Sequence, residues 1–244
     1  MSPKTTRRAN GKLDREAVID AALRLAGEEG LEAISFRRLA DQFEVTPMAL
    51  YWHFKDKEEL LGSIADRLWK HAAETIDHSM QQLDPAGDDG WGQLRLTLDA
   101  LVDAMREHPA VAELVPFRVM SNDAGLGITE RTLTFLVERG LEPAQASDVA
   151  RFMLNSAVML VSTQPGVEIP DREQRIELQR QKRIALSSLP PDRYPLTIAC
   201  SGYLTDCEFA DPYFERGLEL IVAGVRAQAT AAPVALLGQD AERA

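Results

Sequence analysis

Apolar residues recur along this chain at helical spacing, and no stretch alternates convincingly between apolar and polar, so the pattern predicts an all-α fold. Val18, Ile19, Ala22, Leu23 and Ala26 share one face of a first helix that Asp14 begins and Gly30 stops. Ser35 is a good N-cap for a second helix of about two turns, with Phe36, Leu39, Ala40 and Phe43 on its apolar face. Glu44 and Val45 make the turn that follows. Thr46 caps a third helix with Pro47 at its first position, where a missing N–H does no harm, and this helix runs to about His53. Asp56 with Glu59 three residues on resembles a capping box. It opens a long helix to about Leu83 with Leu60, Leu61, Ile64, Leu68 and Trp69 inward. Ser35–Phe54 therefore reads as a helix-turn-helix inside an N-terminal three-helix unit, residues 13–57.

Beyond it the pattern stays helical. DPAGDDG at residues 84–90 is a turn-rich break within the body. Leu94, Leu98, Leu101, Val102 and Met105 repeat at helical spacing from Trp91 to about His108, where Pro109 ends the run. A short apolar helix is expected at Val111–Val119, and another from about Gly127 to Arg139, closed by Gly140. Ala144 to Thr163 is long and strongly apolar, with Phe152, Met153, Leu154, Val158 and Met159, which predicts burial on more than one side. QPGVEIPDREQ reads as a loop, and the charged run Glu173–Ser187 fits either a helix or a mobile segment. After PPDRYP a short helix is expected at 196–205, then a long one from Pro212 to about Gln228 with Phe214, Leu218, Ile221, Val222 and Val225 inward. The organisation expected is a disordered basic arm (1–12), the helix-turn-helix unit (13–57), a helical body (58–230) and a flexible Ala/Pro-rich tail (231–244). No internal repeat is visible.

Composition narrows the class. Apolar residues at 45% and charged residues at 27% are ordinary for a globular chain of 244 residues. No apolar run approaches the roughly 18 residues of a membrane span, and the basic N-terminus lacks the apolar segment of a signal peptide. A cytoplasmic protein with no membrane association is expected. Cys200 and Cys207 read as reduced thiols rather than a disulfide framework. The net charge of −11 speaks against nucleic acid until its distribution is read. Residues 1–57 hold ten Lys/Arg against nine Asp/Glu, whereas the remainder holds 17 against 29. A near-neutral head, led by Lys4, Arg7, Arg8 and Lys12, sits on an acidic body that repels phosphate and restricts binding to one orientation.

The third helix carries the candidate chemistry. A helix fits the DNA major groove, and its N-terminal residues reach base edges. Here those are Thr46, Pro47, Met48 and Ala49, small or apolar groups suited to thymine methyls or phosphate. Leu50 and Phe54 are the natural core face. Tyr51, Trp52 and His53 span about 200° of the helix and cannot all be core. They offer a hydroxyl, an indole N–H and an imidazole to phosphates, with Lys55 and Lys57 adding charge. Arg37, near the start of the preceding helix, can reach a base or phosphate from the groove edge. Tyr51 and Trp52 also fit packing roles with their polar tips satisfied.

Residues 14–69 resemble the DNA-binding domain of the tetracycline-repressor (TetR) family. ALYWHFKDKEELL (Ala49–Leu61) is similar to its recognition-helix signature, and LDREAVIDAALRLAGEEGLEAISFRRLA to its first two helices. Residues 70–230 resemble more loosely the C-terminal domain of the tetracycline-repressor subgroup, chiefly in helix order and the ending ADPYFERGLELIVAGVRA. The resemblance implies DNA contacts from Arg37, Thr46, Pro47, Met48, Ala49, Tyr51, Trp52, His53 and Lys57. Glu44 departs from it, because the family usually has Gly in this turn. The resemblance also implies a homodimer on a palindromic operator, its two recognition helices about 34–36 Å apart. The helices near 145–163 and 212–228 would form the dimer's four-helix bundle, although both also fit burial within one subunit.

An effector pocket in the body is implied too. Trp69, Met105, Phe117, Met120, Phe152, Asn155 and Met159 suit a small, mostly apolar molecule, oriented by Asn155 or Arg118, and each also fits plain core packing. The family's tetracycline binders use a His in the helix corresponding to Val111–Val119, which has none, so a tetracycline–Mg²⁺ ligand is not expected. His71 and His78 lie too far apart to share a metal, at about 10.5 Å along a helix. No metal and no cofactor are implied. Two functions then compete: a ligand-responsive repressor, and a helix-turn-helix regulator without an effector. An enzyme is not expected, because nucleophile elbow, Gly-rich phosphate loop and His-Glu-x-x-His are all absent from the sequence.

Overall fold

The computed structural model describes residues 13–83, 90–164, 171–205 and 210–229. Among them it contains twelve α-helices and no strand. The basic arm, residues 84–89, most of the loop before residue 171, Cys207 and the tail lie outside the described residues.

The head is built by local signals. Asp14 opens α1 (Arg15–Glu29) by accepting the Ala17 N–H at 2.8 Å. Gly30, at φ 87°, closes it with a 2.8 Å bond from its N–H to Ala26. Ser35 caps α2 (Phe36–Phe43) by accepting the Arg38 N–H. Glu44 ends α2 in the left-handed region, at φ 56° and ψ 38°, where a side chain costs about 1–2 kcal/mol that Gly would not. α3 (Pro47–Leu50) is shorter than expected. Beyond Leu50 it tightens into a turn, and the N–H groups of His53 and Phe54 both return to the Leu50 carbonyl. Thr46 holds the cap position, but its hydroxyl makes no capping bond. Asp56 caps α4 (Lys57–Gln82) through the Glu59 N–H, and Glu59 reaches back to the Lys55 N–H rather than that of Asp56.

The body begins with α5 (Gly92–Arg106). Where one short helix was expected, the chain makes a 3₁₀ segment (Pro109–Leu114), α6 (Val115–Arg118) and a second 3₁₀ segment (Val119–Ser121). Pro116 lacks the N–H group that a continuous helix over Val111–Val119 would need. α7 (Asp123–Glu138) starts before Gly127 because the Asn122 side chain caps it, accepting the Gly125 N–H at 2.7 Å. α8 (Pro143–Ser162) follows a Glu142–Gln145 capping box, and α9 (Arg172–Ser187) is helical throughout. The expected helix at 196–205 is two pieces, α10 (Pro195–Ala199) and α11 (Ser201–Thr205). α12 (Ala210–Gln228) completes the described fold.

One apolar core runs from Val18 in α1 to Val225 in α12. α4 is its spine, packing on α1 at one end and on α5, α6 and α7 along its length. α8 is not buried on several sides. Met153, Ala157, Val158 and Val161 are inward, whereas Phe152 and Met159 are 64% and 58% exposed. α9, α10 and α11 pack mainly on one another, with Ile176, Ile184, Leu196, Tyr203 and Leu204 exposed. Among the described residues no helix is long and apolar enough to cross a membrane.

Candidate nucleic-acid interface and ligand cavity

The outer face of the head gathers the residues expected to read DNA. Leu50 and Phe54 are buried, and α3 packs on α2. Thr46, Pro47 and Met48 are exposed, and Ala49 is half-buried. Trp52 is 89% exposed. The Tyr51 ring packs edge-on against Phe36, centroids 4.8 Å apart, while half its surface stays open. Packing and contact are therefore both available to Tyr51. Arg37 is exposed and has no ion pair among the described residues, whereas Arg38 is held by both oxygens of Glu29. That pair keeps the Glu29 carboxyl below its usual range. His53 and Lys57 are half-buried at the rear of the surface.

Arg15, which the sequence did not single out, ties this surface to the body. Its guanidinium donates to the His53 carbonyl at 2.5 Å and to Ser63 Oγ at 2.7 Å, pairs with Glu59 at 3.2 Å, and lies over the Phe54 ring. The Glu59 carboxyl is held below its usual range by the Lys55 backbone N–H first and by Arg15 second. The end of α3, the start of α1 and the first turns of α4 are thus one unit. Arg67 of α4 also reaches Asp20 of α1.

Farther along α4, the same helix is gripped by the body. Arg118 of α6 makes a two-pronged bond to Asp66, at 3.1 and 2.9 Å. The buried Trp69 indole donates to the Val115 carbonyl at 3.0 Å. Arg131 of α7 pairs with Asp77. Gly125 of α7 lies so close to Val119 that a Cβ there would meet its carbonyl oxygen at 2.4 Å, which fixes the second 3₁₀ segment against α7.

Behind Val115–Ser121 lies a cavity of about 490 Å³ walled by α4, α5, α6, α7 and α8. Trp69, Phe117, Met120 and Asn155 line it. Met105, Phe152 and Met159 do not. Met105 sits one turn beyond Leu101 in the core, at 1% exposure, and Phe152 and Met159 point away from the cavity on the outer side of α8. The lining that the residue types did not mark is ordinary in composition: Leu98 and Leu101 from α5, Ile128 and Leu133 from α7, Met153 from α8, and the threonines Thr97, Thr129 and Thr132. Arg118 is not in the lining, because Asp66 holds it on α4. Among the described residues the charged groups in the wall are Asp148 and Arg151, which pair with each other at 2.6 Å. An apolar chamber with scattered hydroxyls suits an apolar small molecule.

A helix-turn-helix head fixed to one end of a long helix, which farther along joins the wall of a hollow helical body at Trp69, defines a DNA-binding regulator. The comparisons agree. The family described as bacterial regulatory proteins, tetR family, matches residues 18–64, and the tetracyclin repressor-like C-terminal domain matches residues 85–229. The tetracycline repressor protein class C of Escherichia coli is 32% identical over 223 residues, covering 88% of this chain and 91% of that protein. The structure of ActR from Streptomyces coelicolor in complex with (S)-DNPA superposes with a TM-score of 0.66 at 25% identity, covering 90% of this chain and 100% of that one. ActR in complex with actinorhodin gives 0.62 at 27% identity, covering 90% and 99%. The chain belongs to the TetR family of bacterial transcription regulators, with a C-terminal domain of the tetracycline-repressor type.

Proposed function

We propose that this protein is a ligand-responsive repressor, acting in the cytoplasm, that binds a palindromic operator as a homodimer and is released by a small, mostly apolar effector. The observation that carries this is the double role of Val115–Ser121. Phe117, Val119 and Met120 line the cavity, while Val115 and Arg118 of the same segment grip Trp69 and Asp66 on α4. A ligand that shifts this wall shifts α4, and through Arg15 it shifts the recognition surface. The ActR complexes with small molecules support an effector, and the name of the class C relative supports repression.

On this reading Arg37, Thr46, Pro47, Met48, Ala49, Tyr51, Trp52, His53 and Lys57 meet DNA, and Trp69, Phe117, Met120 and Asn155 meet the effector. The dimer forms through the outward faces of α8 and α12, where Phe152, Met159 and Leu220 are exposed beside Ala223, Gly224 and Ala227. The test is band-shift binding to the DNA flanking the protein's own gene, against random competitor DNA. Saturable, sequence-specific binding by two protomers supports the proposal. Binding no tighter than to random DNA, at low and moderate salt, overturns it.

A further inference from the structure

A second cavity of about 400 Å³ lies between α4, α5 and α7. Met80, Leu94 and Phe135 give it an apolar floor, and Gln93, Glu130 and Glu138 give it a polar rim. Thr97 of α5 and Thr132 of α7 line this cavity and the first one alike. The two chambers therefore face each other across a seam of two short side chains, where α5 and α7 pack only sparsely. Both hydroxyls donate into their own helices, Thr97 to Gln93 at 2.9 Å and Thr132 to Ile128 at 2.8 Å. Their oxygens keep free lone pairs, so the seam offers acceptors to a ligand N–H.

The chambers differ in charge. In the first, Asp148 and Arg151 neutralise each other. In the second, Arg131 is engaged by Asp77, and Glu130 and Glu138 have no ion pair among the described residues. The second chamber thus carries uncompensated negative charge on an acidic body. We propose that the two cavities are halves of one elongated effector site, and that the effector has an apolar ring body for the first chamber and a basic amine arm for the second. The inference rests on the cavity behind Val115–Ser121 being the effector site. An arm passing between α5 and α7 must span roughly the depth of one helix, about 10 Å, which suits a flexible chain of several methylenes.

The probe pair is dansylcadaverine, a naphthalene sulfonamide with a pentyl ammonium arm, and its neutral N-acetyl form. Each is titrated by fluorescence into the full-length protein. The amine form is expected to bind about tenfold tighter, as a charge-assisted contact would give. Glu130→Gln with Glu138→Gln removes that preference and leaves the acetyl form's affinity unchanged. Thr132→Ile, which thickens the seam, reduces the preference as well. Glu28→Gln with Glu32→Gln, the same loss of charge in the head, retains it. Equal binding of the two probes, or a preference that survives in the Glu130/Glu138 variant, overturns the inference while leaving the effector cavity intact. Binding of neither probe overturns both.

Discussion

Arg37 and Arg38 are neighbours with different roles. Glu29 holds Arg38 against α1, and Arg37 stands free on the outer face. Arg37→Ala is expected to weaken operator binding about tenfold and flatten its salt dependence, with no more than about a degree of change in Tm. Arg38→Ala should do the reverse, leaving affinity nearly intact and lowering Tm slightly, because an exposed pair screened by solvent is lost. Anisotropy titrations over a salt series and thermal unfolding separate the two. Glu44 is a second residue-scale case. Glu44→Gly relieves the left-handed strain and should raise stability by about 1 kcal/mol, measured by urea unfolding, without changing DNA affinity. Asp14, Ser35 and Gly30 were legible because a cap acts within one turn of its own sequence. Arg15 was not, because its partners His53, Glu59 and Ser63 lie far along the chain. Met105 shows the same limit. Its side chain suits core and cavity equally, and only the packing of α5 decides.

At the scale of elements, the segment from Pro109 to Ser121 matters most. Its apolar run was visible as a helix, but it is broken into three pieces, with Pro116 at the start of the middle one, that bend around the cavity. The bend lets Phe117 and Met120 face the chamber while Arg118 turns to α4. Arg118→Leu breaks the grip on Asp66. It is expected to preserve operator affinity without effector and to cut effector-driven release at least about fivefold, a coupling loss near 1 kcal/mol. Operator titrations with and without a ligand that raises Tm measure both numbers. Unchanged release would place the transmission elsewhere. α7 starts at Asp123, before the expected Gly127, because Asn122 supplies a cap and Gly125 makes room for Val119.

For the whole molecule, the heptad-spaced pair Phe152 and Met159 decides between a buried helix and an interface. The apolar pattern of α8 predicts burial on more than one side; only the packed protomer shows which stripe is left uncovered. Met159→Glu on that stripe is expected to give monomers by sedimentation and to weaken operator binding about 100-fold through lost avidity. His108 sets a pH dependence. It lies where α5 turns towards the head, and burial first of all, with Arg67 adding, lowers its pKa from 6.5 against the opposing pull of Glu107 and Asp20. The unfolded chain therefore takes up the proton first. Stability is full above pH 6.5 and falls as pH drops from there through the lower folded value. Thermal unfolding should show this decline, and His108→Gln should flatten it, leaving the carboxylate losses at lower pH.

Coupling between the cavity and the recognition surface is the central claim, and one measurement reaches it most directly: the operator Kd of the full-length protein, free and saturated with a small molecule shown to occupy the cavity behind Val115–Ser121. A Kd at least tenfold weaker in the saturated protein, about 1.4 kcal/mol of coupling, is expected. An operator Kd that stays within twofold while the cavity is full would contradict it.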